Sequence, residues 1–439
     1  MKRNKLNIVF STFNFVLCFV GYQLVTTLFL PATSDWEGIS RSVTIPYRVF
    51  ALTVALGVIF LNLKTRIGTT HLALKVFWVY WVALIIRIFY DANCRIDLHL
   101  NDANRLWLHI FGVCLPAMYS LMKSYKMIDL DKALIWIYAT TAMVLILSLF
   151  NNTSLLLASE EITQRLGGNL ALGTISFGHL GATGVIMSFF ILFKKTRLGY
   201  LCKLTVFSIM LLSFFLMLRA GSRSPILALV ATMMFWFFAR KKDITIGFFI
   251  TGTVIILLML FIDPIIDFIG DISPVMEYRL KASVHEGDSS GRDQIFKLAL
   301  QSFWDQPFLG KQFAMFDNGD LRYSHNIILD SLMGLGVWGG GAMIYVLWSA
   351  VKTAYLSIKN NDEYFWVLLL LIQHIIFSMF SGAIYFNGLL NMLLVFAFLP
   401  RKDLSGLATR SSVMPPLTQR INTGTNAERS QFFHDRSRK

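Results

Sequence analysis

Residues 200–225 read YLCKLTVFSIMLLSFFLMLRAGSRSP, and their order decides the fold. From Tyr200 to Leu218 the run is mostly apolar, and Lys203 near its start is its one charged residue. At about 1.5 Å per residue it crosses most of a hydrocarbon core of roughly 30 Å. It ends at Arg219-Ala220-Gly221-Ser222-Arg223-Ser224-Pro225, and a second apolar run follows as far as Phe238. Pro225 suits the first turn of a helix, and Ser222 or Ser224 can cap it. This predicts two spanning helices joined by a tight outer turn that carries two arginines.

The same pattern recurs along the sequence. Apolar runs lie near residues 7–30, 45–63, 73–90, 105–122, 133–150 and 176–193, then near 200–218, 225–239, 244–262, 327–351, 364–380 and 385–399. This predicts an all-α, polytopic integral membrane protein with about twelve transmembrane helices, the shortest of which need tilt or a thinned bilayer. Composition agrees, with 55% hydrophobic and only 15% charged residues.

Alternate loops are basic, which sets the orientation. Lys2, Arg3 and Lys5, then Lys64 and Arg66, Lys123 and Lys126, Lys194, Lys195 and Arg197, Arg240 to Lys242, and Lys352 with Lys359 fall on one side. Both termini are therefore expected in the cytoplasm. The net charge of +14 follows from these loops and the tail, so the topological reading displaces a nucleic-acid partner. Residues 400–439 hold eight Lys and Arg against three acidic residues, a basic, disordered cytoplasmic tail that anionic lipids can attract. The first span lacks a small-residue cleavage site and is expected to stay as an anchor. Cys18, Cys94, Cys114 and Cys202 are scattered and suggest neither a metal pattern nor a disulfide framework.

With that topology, residues 263–326 are the one long polar stretch between spans, an outer, periplasmic or extracellular helical segment between helices nine and ten. A helix capped by Ser289 or Ser290 is expected from Arg292 to Trp304, with Ile295, Phe296, Ala299, Leu300 and Phe303 on one face and Pro307 ending it. Pro264 to Leu280 is amphipathic as well. Such helices lie on the outer leaflet or cap a cavity between spans.

Four places in the sequence can carry chemistry. From Pro225 to Arg240 is only about 22 Å at helical rise, so Arg223 sits at or below the outer interface, where a cation needs water, a partner or an anion. Guanidinium groups match diphosphate oxygens in bidentate fashion. A single arginine there reads better as one snorkelling to headgroups, but the Arg219 and Arg223 pair around a glycine shifts the balance towards a site. Arg165 precedes a glycine-rich run, Gly167, Gly168, Gly173, Gly178, Gly181 and Gly184, that allows a broken or closely packed helix. His179 in that run reads more readily as packing. Tyr323-Ser324-His325-Asn326 marks the return to the membrane, and His325 has a side chain suited to taking a proton from a hydroxyl near neutral pH. On the residue alone, a helix-start histidine bonded to backbone is an equal reading.

Taken together these residues resemble the O-antigen polymerase and ligase superfamily of bacterial envelope glycosyltransferases. The resemblance covers residues 160–345 best. Its elements are Arg165 with its glycines, Gly221-Ser222-Arg223-Ser224-Pro225, Ser290-Gly291-Arg292-Asp293, Pro307-Phe308-Leu309-Gly310 and Ser324-His325-Asn326, with ten residues between His325 and Gly336 and three between Arg223 and Leu227. Lys311 departs from the family, where another glycine often follows Gly310, and that leaves the turn conformation open.

The resemblance implies a membrane-embedded glycosyltransferase domain over residues 1–399. It would transfer a glycan from undecaprenyl diphosphate to an acceptor hydroxyl at the periplasmic face of the inner membrane. The acceptor is a second lipid-linked unit in a polymerase and the lipid A core in a ligase; the motifs lean slightly to a polymerase, with a chain-length regulator as a further partner. His325 is implied as the catalytic base, and Arg219, Arg223, Arg165 and Arg292 as diphosphate-binding residues. Ser222, Asn326 and Gly336 are supporting residues. The outer segment contains no Asp-x-Asp pair or His cluster, so no metal and no cofactor are expected and arginines take the cation's place, although Asp288, Asp293 and Asp305 lie nearby. A secondary transporter shares the span count, but a long asymmetric outer segment and the absence of matching motifs in two halves count against it. A flippase or structural subunit would not need His325.

Overall fold

The computed structural model describes residues 2–30, 37–68, 71–94, 103–155, 165–169, 171–194, 198–240, 253, 260–288, 291–317 and 320–400. Apolar runs without water to satisfy their backbone close into helices. Eight helices among the described residues are long and apolar enough to cross a membrane. They are α1 (Lys5–Phe29), α2 (Arg41–Leu61), α3 (Leu72–Asn93), α4 (Leu106–Met127), α5 (Leu130–Asn151), α6 (Thr174–Lys194), α7 (Tyr200–Arg219) and, after the polar segment, the 33-residue Ile327–Lys359. Helix α8 (Arg223–Arg240) starts two residues before the expected span and is only 18 residues long. The last two expected spans form shorter apolar helices, Phe365–Ser378 and Gly388–Phe398. The expected span at 244–262 falls mostly outside the described residues, as do the basic tail and the proposed caps Ser289 and Ser290.

The helices are joined by side-chain hydrogen bonds between small polar groups, which hold spans together where lipid gives no hydrophobic drive. Asn7 and Asn62 exchange amide hydrogen bonds of 2.8 and 2.9 Å. Asn14 donates to Ser120 at 2.9 Å, while Tyr138 and Ser188 pair at 2.9 Å. The glycines of α6 serve close packing, and the helix is continuous. A Cβ at Gly181 would stand 2.7 Å from the Ser213 carbonyl oxygen, and one at Gly178 would stand 2.7 Å from Pro225 Cγ. Both α1 and α4 contain a π-helical turn, at Leu17–Gly21 and Ile110–Cys114.

The polar segment is helical and sits over the joint between α7 and α8. It contains α9 (Ile262–Ile272), α10 (Pro274–His285) and α11 (Arg292–Asp305). Helices α9 and α10 are stapled by His285 with Asp263 and by Lys281 with Asp267, each at 2.9 Å. Helix α11 matches the expected bounds within one residue; Gly291, in the left-handed region at φ 75°, precedes it. A short antiparallel pair follows, β1 (Met315–Asp317) and β2 (Asp320–Arg322), in the register Met315 to Arg322. The helical expectation for this segment missed that pair. The intervening Asn318-Gly319 was the available signal, because this dipeptide favours tight hairpin turns.

The chain then enters α12 (Ile327–Lys359), followed by α13 (Phe365–Ser378) and α14 (Gly388–Phe398). Helix α12 is broken at Gly336, whose φ of 65° and ψ of −157° belong to a region open essentially to glycine. A Cβ there would collide with the backbone of Pro307 and Phe308. Through this break the Pro307–Gly310 turn packs against the helix, with the Val337 N–H donating to the Pro307 carbonyl at 2.8 Å. Lys311 does not disturb the turn. Gly310 takes the left-handed conformation, the Lys311 N–H donates to the Met333 carbonyl at 2.9 Å, and its ammonium pairs with Asp305 at 2.7 Å. From α3, Arg87 donates to the Gly310 carbonyl at 3.0 Å and also to that of Lys311, while Asp91 accepts from the Phe313 N–H at 2.8 Å.

Candidate active site

The turn that ends the polar segment is shaped by its own side chains. Asn326 caps α12, its side-chain oxygen accepting from Ile328 and Leu329 at 3.0 and 3.2 Å. Its amide reaches the Met379 carbonyl at 3.4 Å. The Ser324 N–H donates to Asp330 at 2.8 Å, and the Ser324 hydroxyl donates to the Asn326 carbonyl at 2.9 Å. Between these anchors His325 is held at φ 61°, a left-handed conformation uncommon for a non-glycine residue. Such backbone costs of order 1–3 kcal/mol and persists where the surroundings over-determine it. The imidazole lies edge-on to Tyr323, ring centroids 4.6 Å apart, and its Nδ1 is buried without a hydrogen-bond partner. Burial lowers the His325 pKa below its ordinary value, and the charge of Arg292 lowers it further. The ring is therefore neutral near pH 7 and able to accept a proton.

A group of cations includes Arg292, whose charge acts on His325. Arg292, at the start of α11, lies over the Phe380 ring at 5.9 Å. Arg223, at the start of α8, donates to the carbonyls of Arg279 and Asp288 at 3.2 and 2.9 Å and stands 3.7 Å from the Asp288 carboxylate. Arg165 and Arg279 complete the group. Burial lowers the pKa of Arg165, and the charges of Arg279, Arg292 and Arg223 act in the same direction. Arg292 is likewise lowered by burial, then by Arg223 and Arg279. Arg279 is lowered by burial and by Arg223, against an opposing contribution from Asp288. Four guanidinium groups thus feel one another's charge, with the Asp288 carboxylate beside Arg223. The Nε of Arg165 is buried and lacks a hydrogen-bond partner.

Gly221 makes the convergence possible. At φ 63° it turns the chain between α7 and α8, and a Cβ on it would lie 3.2 Å from Val275 and 3.5 Å from Arg165 Cγ. Ser222 is buried beside it. The Arg165 segment is held by the Asn152 amide, which donates to the Gly167 carbonyl at 3.2 Å, and by a turn in which Gly168 N–H donates to the Leu172 carbonyl at 2.9 Å.

Two placements differ from the sequence reading. Arg219, expected beside Arg223 as a diphosphate ligand, is 4% exposed and directs its guanidinium at backbone. It donates to the carbonyls of Leu155, Ser154 and Ile272 at 2.9, 2.8 and 3.2 Å. Arg279, which the sequence reading did not single out, stands in the arginine group instead. His179 is buried in α6, 3.2 Å from the Ser224 hydroxyl and tilted against Phe377 at 4.2 Å between centroids. Among the described residues no three His, Cys, Asp or Glu side chains gather as a metal site would require. Asp305 is paired with Lys311.

Residues 207–346 match the family model described as O-antigen ligase. This match lies within the part of the chain that resembles the O-antigen polymerase and ligase superfamily. The O-antigen ligase match takes in Arg219, Arg223, Arg279, Arg292, His325 and the Gly336 break, whereas Arg165 reaches the site from outside it. No curated protein and no solved structure matches the chain.

Proposed function

We propose that this membrane protein transfers a glycan from an undecaprenyl-diphosphate donor to an acceptor hydroxyl at the periplasmic face of the inner membrane. The observation that supports this most is the gathering of Arg165, Arg223, Arg279 and Arg292 beside a neutral His325. His325 takes the proton from the acceptor hydroxyl as its oxygen bonds to the sugar's anomeric carbon. The bond from that carbon to the diphosphate oxygen breaks, and the electron pair leaves with the lipid diphosphate. Charge grows on that leaving group, so fixed cations aimed at it stabilise the transition state more than the ground state. One preorganised donor is worth about 3–4 kcal/mol in comparable transfers. Arg219 acts differently, as a positioning residue that ties the end of α7 to the segment before Arg165 and to α9.

His325→Ala is the direct test. The variant should fold in the membrane and lose transfer of the lipid-linked glycan; retained transfer would remove the base from the mechanism. Labelling from outside the cell should reach a cysteine placed at Asp288, and labelling only after permeabilisation would reverse the orientation. The family motifs lean to polymerase over ligase, and a deletion strain separates the two. Single repeat units on lipid A core mark a lost polymerase, while long polymer left on its carrier marks a lost ligase.

A further inference from the structure

Next to Tyr323 lies a cavity of about 680 Å³, lined by none of Arg165, Arg223, Arg279 and Arg292 and within the roughly 300–1,000 Å³ range of small-molecule sites. The turn at the end of α13 touches both: Phe380 carries Arg292, and Phe377, Ser381 and Gly382 line the cavity. Tyr323, which contacts His325, lines it too. Ser176, His179 and Thr183, on one face of α6, carry it about 10 Å down that helix at the usual rise per residue.

Three features set this cavity apart from a packing defect or a lipid-tail slot. Its wall includes Gln23, Arg48, His109, His179 and His374 and, among the described residues, no Asp or Glu. His179 and His374 are 3% and 8% exposed, and each has an Nδ1 without a hydrogen-bond partner. A wall carrying these polar side chains suits a polar occupant better than a hydrocarbon chain. Both π-helical turns border the cavity, through Cys18 to Val20 in α1 and through Gly112 and Val113 in α4. Such turns are rare and occur often at functional sites. The turn in α1 is braced by the Tyr47 hydroxyl, which donates to the Leu17 carbonyl at 2.9 Å.

We infer that this cavity seats sugar residues of the acceptor glycan and presents the reacting hydroxyl past Tyr323 to His325. The assignment rests on the proposed glycan transfer. The arginines hold the donor's diphosphate on one side of the base, so the acceptor approaches from the other.

The test places a photoreactive benzoylphenylalanine at Ser176 of the full chain in living cells. Irradiation should give an adduct that carries carbohydrate by mass and is cleaved by periodate. An adduct of prenyl or acyl chain alone, or no adduct on a folded chain, overturns the assignment. The companion variant Ala51→Trp fills the cavity. It should lower the carbohydrate adduct at least tenfold and raise the half-saturating acceptor concentration at least tenfold in proteoliposomes supplied with lipid-linked glycan from the deletion strain. If Ala51→Trp misfolds on size exclusion, Ala55→Leu, at another lining position, is scored on the same two readouts; no change in either overturns the assignment. The adduct should also form in the His325→Ala background. Transfer retained there alongside the adduct would refute the proposed base while sparing the cavity, and transfer lost there with no adduct in either background would do the reverse.

Discussion

Arg279→Gln separates a site arginine from a structural one. In the folded protein the Arg279 guanidinium feels the charge of Arg223 and is partly offset by Asp288. The hydrogen bond from Arg223 goes to the backbone carbonyl of residue 279, so the substitution keeps it. Glutamine loses the attraction to Asp288 but removes a like-charge repulsion and the cost of burying a cation. These contributions oppose one another at a partly exposed site, where pair energies of about 0–1 kcal/mol are usual, so thermal stability should change by less than about 1 kcal/mol. Transfer should respond differently. If Arg279 faces charge that grows on the leaving diphosphate, its loss should lower kcat by about 10²–10³-fold, equivalent to about 3–4 kcal/mol. The half-saturating donor concentration should move less, because the interaction strengthens in the transition state. The assay compares initial rates in proteoliposomes with unfolding followed by scanning fluorimetry. Wild-type kcat in a variant that folds normally would refute the placement of Arg279 in the reaction, and loss of fold would refute the charge accounting.

Neighbouring substitutions should have distinct signatures. Burial and Arg292 both keep the His325 pKa low, so the protonated, inactive form appears only below its ordinary value of about 6.5. Arg292→Gln removes the like charge, raises that pKa and should move the acid limb of the pH–rate profile to higher pH; an unmoved limb would uncouple the two residues. Arg219→Ala leaves three backbone carbonyls without their donor, so it should cost at least about 2 kcal/mol of stability. Arg223→Lys should instead fold normally and lose transfer, since a point charge does not reproduce a planar fork. Gly336→Ala should lower stability by about 1–3 kcal/mol from backbone strain alone, read as a fall in unfolding temperature, with further loss from its clash with the Pro307 turn.

Hydropathy made the spans legible, and local motifs marked the Arg223 turn, the α11 helix and the Ser324-His325-Asn326 cap, because each depends on residues close in sequence. What was not legible depends on direction in space. Arg219 and Arg223 are four residues apart and look equivalent in sequence, yet one turns towards carbonyls contributed by two distant segments. Arg279 sits in an amphipathic helix where an arginine ordinarily marks a solvated face; only the staples between α9 and α10 and the close approach at Gly221 bring it to the others. Nor does a hydropathy profile record a single extra residue in a helical turn, which is how the π-helical turns beside the cavity escape notice.

The Arg87–Asp91 pair has a bearing on how this protein can be engineered. Its grip on Gly310, Lys311 and Phe313 means that the polar segment takes its seat from α3, more than a hundred residues before the matched region begins. A chimera made by exchanging residues 207–346 between relatives would therefore cross a seam between the two parents at α3. Grafts that carry α3 with them, or choose a recipient with the same two side chains, preserve that seam; grafts cut at the domain boundary do not.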